Sequence, residues 1–457
     1  MVFVPRWRYD GALIGLAAAP PRAVPSDLLA AALTALLPGA LVQKLILLAI
    51  FVLACAGTAR LVRDLPPAAR VAAAVLYCWN PFVAERLLLG QWALLLGYAG
   101  LPWAVDAVRR GGRRATVAAL LPAAAGGFMA MIVTLPAVLA CGRRRLFTAG
   151  AWAVLSLPWV LPALLRGVPA DPVGADVFAA RADTPFGVAG SLLSLSGVWN
   201  AEVVPAGYAL PAFAVPRLLL ALALTWFGAR ACRPLAVAAA AGFAVALCEP
   251  LAPGLLGALI GFWPGFAVLR DAQQYVAPLA LLQAVGMAAL VARLREGWAP
   301  LAVAAPLLLL PGLLLGGMGR LTAVRYPAEF ATAREIMAAD RVPGDVLLLP
   351  WHAYRSYPWN GGRGSLDPLV RYLPRRVVFN DAVRVGATTV AAEDPRAAAL
   401  TPLVESAAPL TEPLRAAGFR YVVVDAETDG FGARFPGLVP VLTGPDLTLY
   451  KLDPRKG

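Results

Sequence analysis

Runs of apolar residues long enough to cross a bilayer as helices recur along this chain, and they constrain its fold more than anything else in it. A helix needs about 20 such residues to span the hydrocarbon. The runs at 41–59, 90–107, 147–165, 211–229, 234–249, 275–294 and 299–317 meet that need closely enough, and a shorter one, 67–79, leads into Trp79-Asn80-Pro81. Segment 116–141 is too long and too interrupted, by Pro122, Gly126 and Gly127, for one straight helix, so two short helices forming a hairpin are expected there. With 60% hydrophobic and only 15% charged residues over 457 positions, the chain is a polytopic membrane protein. A soluble chain would carry about a quarter charged residues.

The net charge of +13 could point to nucleic acid, but its distribution does not. Arg60, Arg63 and Arg70, then Arg109, Arg110, Arg113 and Arg114, then Arg143–Arg145, Arg230 and Arg233, and Arg293 and Arg295 fall at alternate connections. The connections between them are nearly neutral or acidic. This is the positive-inside pattern, so the basic charge reports orientation and contact with anionic lipid. No nucleic-acid partner is expected.

Counting from these clusters gives about ten crossings, provided 116–141 is a hairpin that keeps both flanking Arg clusters on one side. Residues 1–38 then form an extracytoplasmic loop with no helix before it, and the expectation is a chain truncated at its N-terminus. The multi-pass domain occupies 39–318, with extracytoplasmic loops at 80–91, 167–210 and 250–274. Residues 319–457 form an extracytoplasmic α/β domain. Its expected helices are 327–341, 396–407 and 411–418, and its expected strands are 345–350, 376–380, 420–425 and 446–452. Strands separated by helical patterns favour a partly parallel sheet. The five cysteines lie in or beside apolar segments, so no disulfide framework is expected in the C-terminal domain.

Chemistry is sought on the extracytoplasmic loops. Glu85 and Arg86 sit at a membrane edge, where an unpaired charge is costly. Glu85 can be an acid/base carboxylate and Arg86 a phosphate clamp with Gln91 beside it; the bland alternative is interfacial anchoring with Trp79 and Trp92. Arg270 and Asp271 open a membrane helix. Asp271 can serve as its cap, or Arg270, Gln273 and Tyr275 can bind a lipid-linked phosphate at the helix entrance. In the N-terminal loop Asp27 reads as a helix cap, whereas Asp10 is a freer carboxylate and a candidate acid. Trp351, His352 and Trp359 lie on an aromatic, Gly-rich loop that can either stack on a sugar ring or pack the domain. A lone histidine supports neither a metal site nor a triad. No P-loop, dinucleotide fingerprint, HExxH or CxxC pattern is present. No cofactor is fixed by the residues, and a divalent metal stays open.

Trp79-Asn-Pro-Phe-Val-Ala-Glu-Arg-Leu-Leu-Leu-Gly-Gln91, Leu269-Arg-Asp-Ala-Gln-Gln-Tyr275 and the Pro350-Trp-His to Trp-Asn-Gly-Gly362 loop resemble uncharacterised bacterial membrane proteins grouped near the C-type glycosyltransferase superfamily (GT-C). So does the layout of many helices followed by an extracytoplasmic domain. The resemblance implies transfer of a sugar from a polyprenyl-phosphate donor to a cell-envelope glycan or protein. It also implies an acidic residue in the first extracytoplasmic loop, which falls at Asp10 or upstream of the sequence. Catalytic candidates are then Glu85, Asp271 and Asp10, with Arg86 and Arg270 facing the departing phosphate. The alternative on the same architecture is a transporter, flippase or assembly scaffold of envelope biogenesis.

Overall fold

A computed structural model describes residues 3–9, 11–15, 23–167, 170–425 and 431–453. Asp10 lies outside the described residues. The chain divides into two compact units: one holds residues 43–322 with the stretch 22–26, and the other holds 323–457 with 2–21 and 27–42.

The first unit is helical. α1 (Ser26–Leu36) belongs, apart from Ser26, to the second unit; in the first, α2 (Gly39–Leu61) is the most apolar long helix, and α3 (Pro67–Cys78) follows a short turn. α3 ends at Trp79-Asn80-Pro81 because Asn80 ties down both sides of the break. Its amide donates to the carbonyls of Leu76 and Tyr77, each at 2.9 Å, while its oxygen caps α4 (Pro81–Leu88) by accepting from Val83 N–H at 3.1 Å. Pro81 supplies the helix-ready φ at the first position.

α5 (Trp92–Arg110) ends at Gly111 in the left-handed region, and α6 (Arg113–Gly126) runs back along it. Gly127, at φ +82°, then reverses the chain into α7 (Phe128–Cys141). The reversal brings Arg143 N–H to the Val108 carbonyl at 3.1 Å, so both ends of the α6–α7 pair return to the same end of α5. α8 (Arg145–Arg166) is peripheral, with 11% of its apolar window buried. The short α9 (Gly174–Val177) and α10 (Gly187–Leu193) follow, then α11 (Pro211–Ala231), α12 (Arg233–Leu251) and α13 (Leu255–Phe262).

α14 (Ala277–Val291) is the centre of this unit, 89% buried over its window and packed on α3, α11 and α12. Glycine makes that contact possible: a Cβ at Gly228 of α11 would collide with the Leu282 carbonyl, and one at Gly286 of α14 with the Leu224 carbonyl. The last run, expected as one span over 299–317, is sharply bent. α15 (Ala299–Leu309) and the segment 311–318, including α16 (Leu314–Met318), meet at a 67° bend beside Pro311. A proline at that position lacks the N–H that would continue the helix. Among the described residues five helices are long and apolar enough to cross a membrane, or six if that bent pair counts as one span.

The second unit is built on a five-stranded sheet. After α17 (Ala328–Ala339) come β1 (Asp345–Leu349), β2 (Tyr354–Ser356), β3 (Gly364–Leu366), α18 (Leu369–Tyr372), β4 (Val377–Val378), β5 (Val383–Val385) and β6 (Thr388–Val390). Then follow α19 (Pro395–Glu405), α20 (Thr411–Ala416), β7 (Phe419–Asp425), β8 (Pro440–Thr443) and β9 (Leu447–Lys451). The order is β4-β1-β7-β9-β8, with β1 parallel to β4 and β7, and β9 antiparallel to β7 and β8. Leu347, Leu349, Val422 and Val424 face α19 and α20, while Val346, Leu348, Tyr421 and Val423 face α17. Because both faces are covered, β1 and β7 read as unbroken apolar runs.

Segments 3–9 and α1 belong to this unit. Arg371 donates to Asp27 at 2.9 Å, and Arg8 N–H to the Arg371 carbonyl at 2.7 Å. The loop that carries Trp351 and Trp359 contains the β2–β3 hairpin, whose three-residue strands are too short to show a period in sequence.

Candidate active site

The site lies in the helical unit, at the breaks that the polar residues of 80–91, 180–208 and 270–274 enforce. Arg86, the last-turn residue of the eight-residue α4, has no exposed surface. Its guanidinium meets Asp271 at 2.8 and 3.4 Å, the Gln91 carbonyl oxygen at 2.6 Å and the Gln273 carbonyl oxygen through a short bond. Asp271 makes no side-chain cap on the 3-10 turn that follows it; its carboxylate is spent on Arg86. Gln273 turns its other face to Glu85, donating from its amide at 3.3 Å.

Glu85 is fully buried and its Oε1 has no hydrogen-bond partner. Burial pushes its carboxyl well above the ordinary carboxylate value, and the neighbouring charge of Asp183 adds to the push. Ser196 and Arg86 act the other way without cancelling it. Asp183 accepts from Ser196 Oγ and from Gly197 N–H, the latter at 2.8 Å, and its Oδ1 is buried and unpartnered like Glu85 Oε1.

Arg217, in the second turn of α11, completes the cluster. It is buried, lies 3.5 Å from the Tyr208 ring centroid, and donates to backbone carbonyls of Leu309 (3.0 Å) and Tyr208 (2.5 Å). Among the described residues it has no ion-pair partner within salt-bridge distance, although Asp183 and Glu85 are near enough to act on it. It lines a small crevice of about 40 Å³ whose walls are mostly apolar, including Leu76, Leu220, Leu224 and Leu309. Ser194 also lines that crevice, and both its Oγ and Arg217 Nε are buried without partners.

Glu85, Arg86, Gln91, Asp271 and Gln273 thus converge. Arg270 sits 5.3 Å from the Phe178 ring, to one side of that knot, and the Tyr275 hydroxyl donates to the Val268 carbonyl at 2.8 Å. Trp351, His352 and Trp359 belong to the other unit. Trp351 is core there, its indole N–H donating to Thr401 at 3.0 Å, and Trp359 stacks on Tyr357 with centroids 4.6 Å apart. Both rings give their faces to the domain's own packing, and His352 is exposed. Asp183, Ser194, Ser196, Tyr208 and Arg217 were not singled out from the sequence. The one signal available was Arg217 itself, a charge inside a membrane run. Among the described residues no group of three or more His, Cys, Asp or Glu side chains is arranged to hold a metal.

No protein-family model and no curated protein matches the sequence. Solved structures do match its fold. The cryo-EM structure of arabinofuranosyltransferase AftD from Mycobacteria superposes with a TM-score of 0.57 at 16% identity, over 100% of this chain and 37% of that one. A mutant form of the same enzyme gives 0.56 at 16% identity, over 100% and 40%. The chain therefore spans about two fifths of the proteins it resembles, and what it shares with them is the fold.

Proposed function

We propose that this chain is a GT-C-type glycosyltransferase that moves a sugar from a polyprenyl-phosphate donor to a cell-envelope glycan or protein on the extracytoplasmic face. By analogy with the enzyme whose fold it shares, a pentofuranose such as arabinofuranose is the first sugar to try. The observation that carries the reading is the pair of buried, unpartnered carboxylate oxygens on Glu85 and Asp183, beside an unpaired buried guanidinium on an apolar-walled crevice.

In the proposed reaction the acceptor hydroxyl gives its proton to Glu85 as its oxygen attacks the anomeric carbon. The bond from that carbon to the phosphate oxygen breaks, and the phosphate leaves with the electron pair. Burial raises the proton affinity of Glu85, so once ionised it is the stronger base for that proton. Arg217 faces the charge that grows on the phosphate, and the crevice walls suit the first carbons of a lipid chain. Arg86 and Asp271 hold Gln273 against Glu85 as positioning residues. Arg270 stands at the entrance as a second cation for the donor.

The orientation belongs to the same proposal: arginine-rich turns in the cytoplasm, about ten crossings with α6–α7 as one up-and-down pair, and 319–457 outside. The test is transfer from a polyprenyl-phosphate-linked arabinofuranose to an envelope glycan by the full chain in vesicles. Glu85→Gln should abolish transfer and Asp183→Asn should lower it, while donor binding persists in both. If Glu85→Gln, Asp183→Asn and Asp271→Asn all restore a deletion strain, catalysis is out and a flippase or envelope scaffold takes its place.

A further inference from the structure

The end of α7, the end of α5 and the turn between α11 and α12 enclose a second, larger cavity of about 390 Å³, in which the proposed sugar transfer has no part. Arg109, Arg230 and Arg233 line it together with Cys141 and Cys232, and among the described residues no acidic side chain does. Both cysteines are free thiols and each is 8% exposed. Cys232 is the residue before the first turn of the 19-residue α12, where backbone N–H groups lack helical partners.

Cys141 shares the cavity wall with Cys232, and the Arg109 charge is close by. These contacts outweigh burial and hold the Cys232 thiol below its ordinary value. A helix N-terminus, a nearby guanidinium and a second thiol are the surroundings in which cysteine becomes a nucleophile.

We propose that Cys232 is a reactive thiolate with Cys141 as its resolving partner, and that the arginine-lined cavity admits an anionic low-molecular-weight disulfide that oxidises the pair. The Cys232 sulfur attacks one sulfur of that disulfide; its S–S bond breaks and one small thiolate leaves with the electron pair. Cys141 loses its proton to solvent and attacks the Cys232 sulfur, forming the Cys141–Cys232 bond and expelling the second small thiolate. Two protein thiols are oxidised and one small disulfide is reduced to two thiols. The product ties the end of α7 to the α11–α12 turn.

The test uses the full chain in detergent with Cys55, Cys78 and Cys248 replaced by Ser, treated with the dianionic dithiobis-nitrobenzoate or with neutral dithiodipyridine. With the dianionic reagent at neutral pH, the rate should exceed that of a simple alkyl thiol by about tenfold. Two equivalents of the small thiol should be released, and peptide masses should show Cys141 joined to Cys232. Cys141→Ser should release one equivalent and keep a mixed disulfide. Arg109→Gln with Arg233→Gln should slow the dianionic reagent by about tenfold and leave the neutral one nearly unchanged. A rate no higher than the simple thiol's, equal sensitivity of both reagents to the arginine changes, or release without the Cys141–Cys232 link overturns the proposal. The serine variants are checked for unchanged elution, so a folding failure is recognised as such.

Discussion

Arg86 has no exposed surface, and its charge is answered by Asp271, so removing either partner strands the other in a dry place. Arg86→Ala should destabilise the helical unit by about 3–5 kcal/mol, read as a loss of thermal stability in detergent. Arg86→Lys should recover only part of it, because an ammonium cannot serve Asp271, Gln91 and Gln273 in one plane. The same arithmetic explains what the sequence disclosed here. A charge at the membrane edge is costly enough to flag Glu85, Arg86 and Asp271 wherever they sit. Asp183 and Ser196 lie in a long polar loop where a carboxylate or hydroxyl costs nothing in sequence terms, and only the fold buries them. Asp340 makes the parallel case in the other unit. Burial opposes its ionisation, but hydrogen bonds from Tyr421 (2.7 Å) and Arg420 (2.8 Å) outweigh it and hold the carboxyl below its usual range. A depressed carboxylate stabilises the fold above its unfolded value near pH 4 and loses that contribution as the pH falls toward the folded value. Protection of the β7 amides against hydrogen exchange should therefore drop steeply below about pH 4, and Asp340→Asn should flatten that dependence while lowering protection at pH 7.

Between elements, glycine decides what can touch. α11 and α14 approach until backbone meets backbone at Gly228 and Gly286, as small residues permit in membrane bundles. Gly286→Leu should force the two helices apart and cost about 1–3 kcal/mol, measured as a lower melting temperature in detergent. Gly127→Ala should cost a similar amount for a different reason: φ +82° is strained for any residue with a Cβ, and that Cβ would stand 2.6 Å from the Val24 carbonyl. A change at the exposed Gly112, at the other end of α6, should leave the melt alone, since its Cβ meets only Ala115 at 3.5 Å. The two helices of 116–141 were legible because glycines and Pro122 interrupt the apolar run, and the turn between them falls at Gly127. The bend in 299–317 was not, since Pro306 and Pro311 sit in a run whose composition alone is that of an ordinary span. β1, β7 and β9 were legible from apolar runs between turns, whereas β5–β6 and β2–β3 follow from tertiary pairing of three residues each.

Across the helical unit the polar chemistry segregates. Arg109, Arg230 and Arg233 from two separate turns line one cavity, and Gly111 lies within reach of Arg143 and Arg144 from a third segment. Loops 80–91, 167–210 and 250–274 instead supply Arg86, Asp183 and Asp271 to a cluster in which acids answer bases. A membrane reads that asymmetry during insertion: arginines close to helix ends are retained on the cytoplasmic side, while a balanced or acidic loop is free to cross. The proposed orientation rests on this asymmetry, and under it the C-terminal unit lies in the extracytoplasmic compartment. A reporter active only when exported, fused after Leu452, should be active. The same reporter fused after Gly112 or Gly142 should be silent, and a cytoplasmic reporter should show the opposite pattern at all three positions. Activity after Gly112 with silence after Gly142 would mean that 113–141 crosses once, putting the two strongest arginine clusters on opposite faces. Sugar transfer at the extracytoplasmic surface requires the Glu85–Asp183 cluster to face the compartment of the acceptor. Silence of the exported reporter after Leu452 would therefore remove the proposed chemistry together with the proposed orientation.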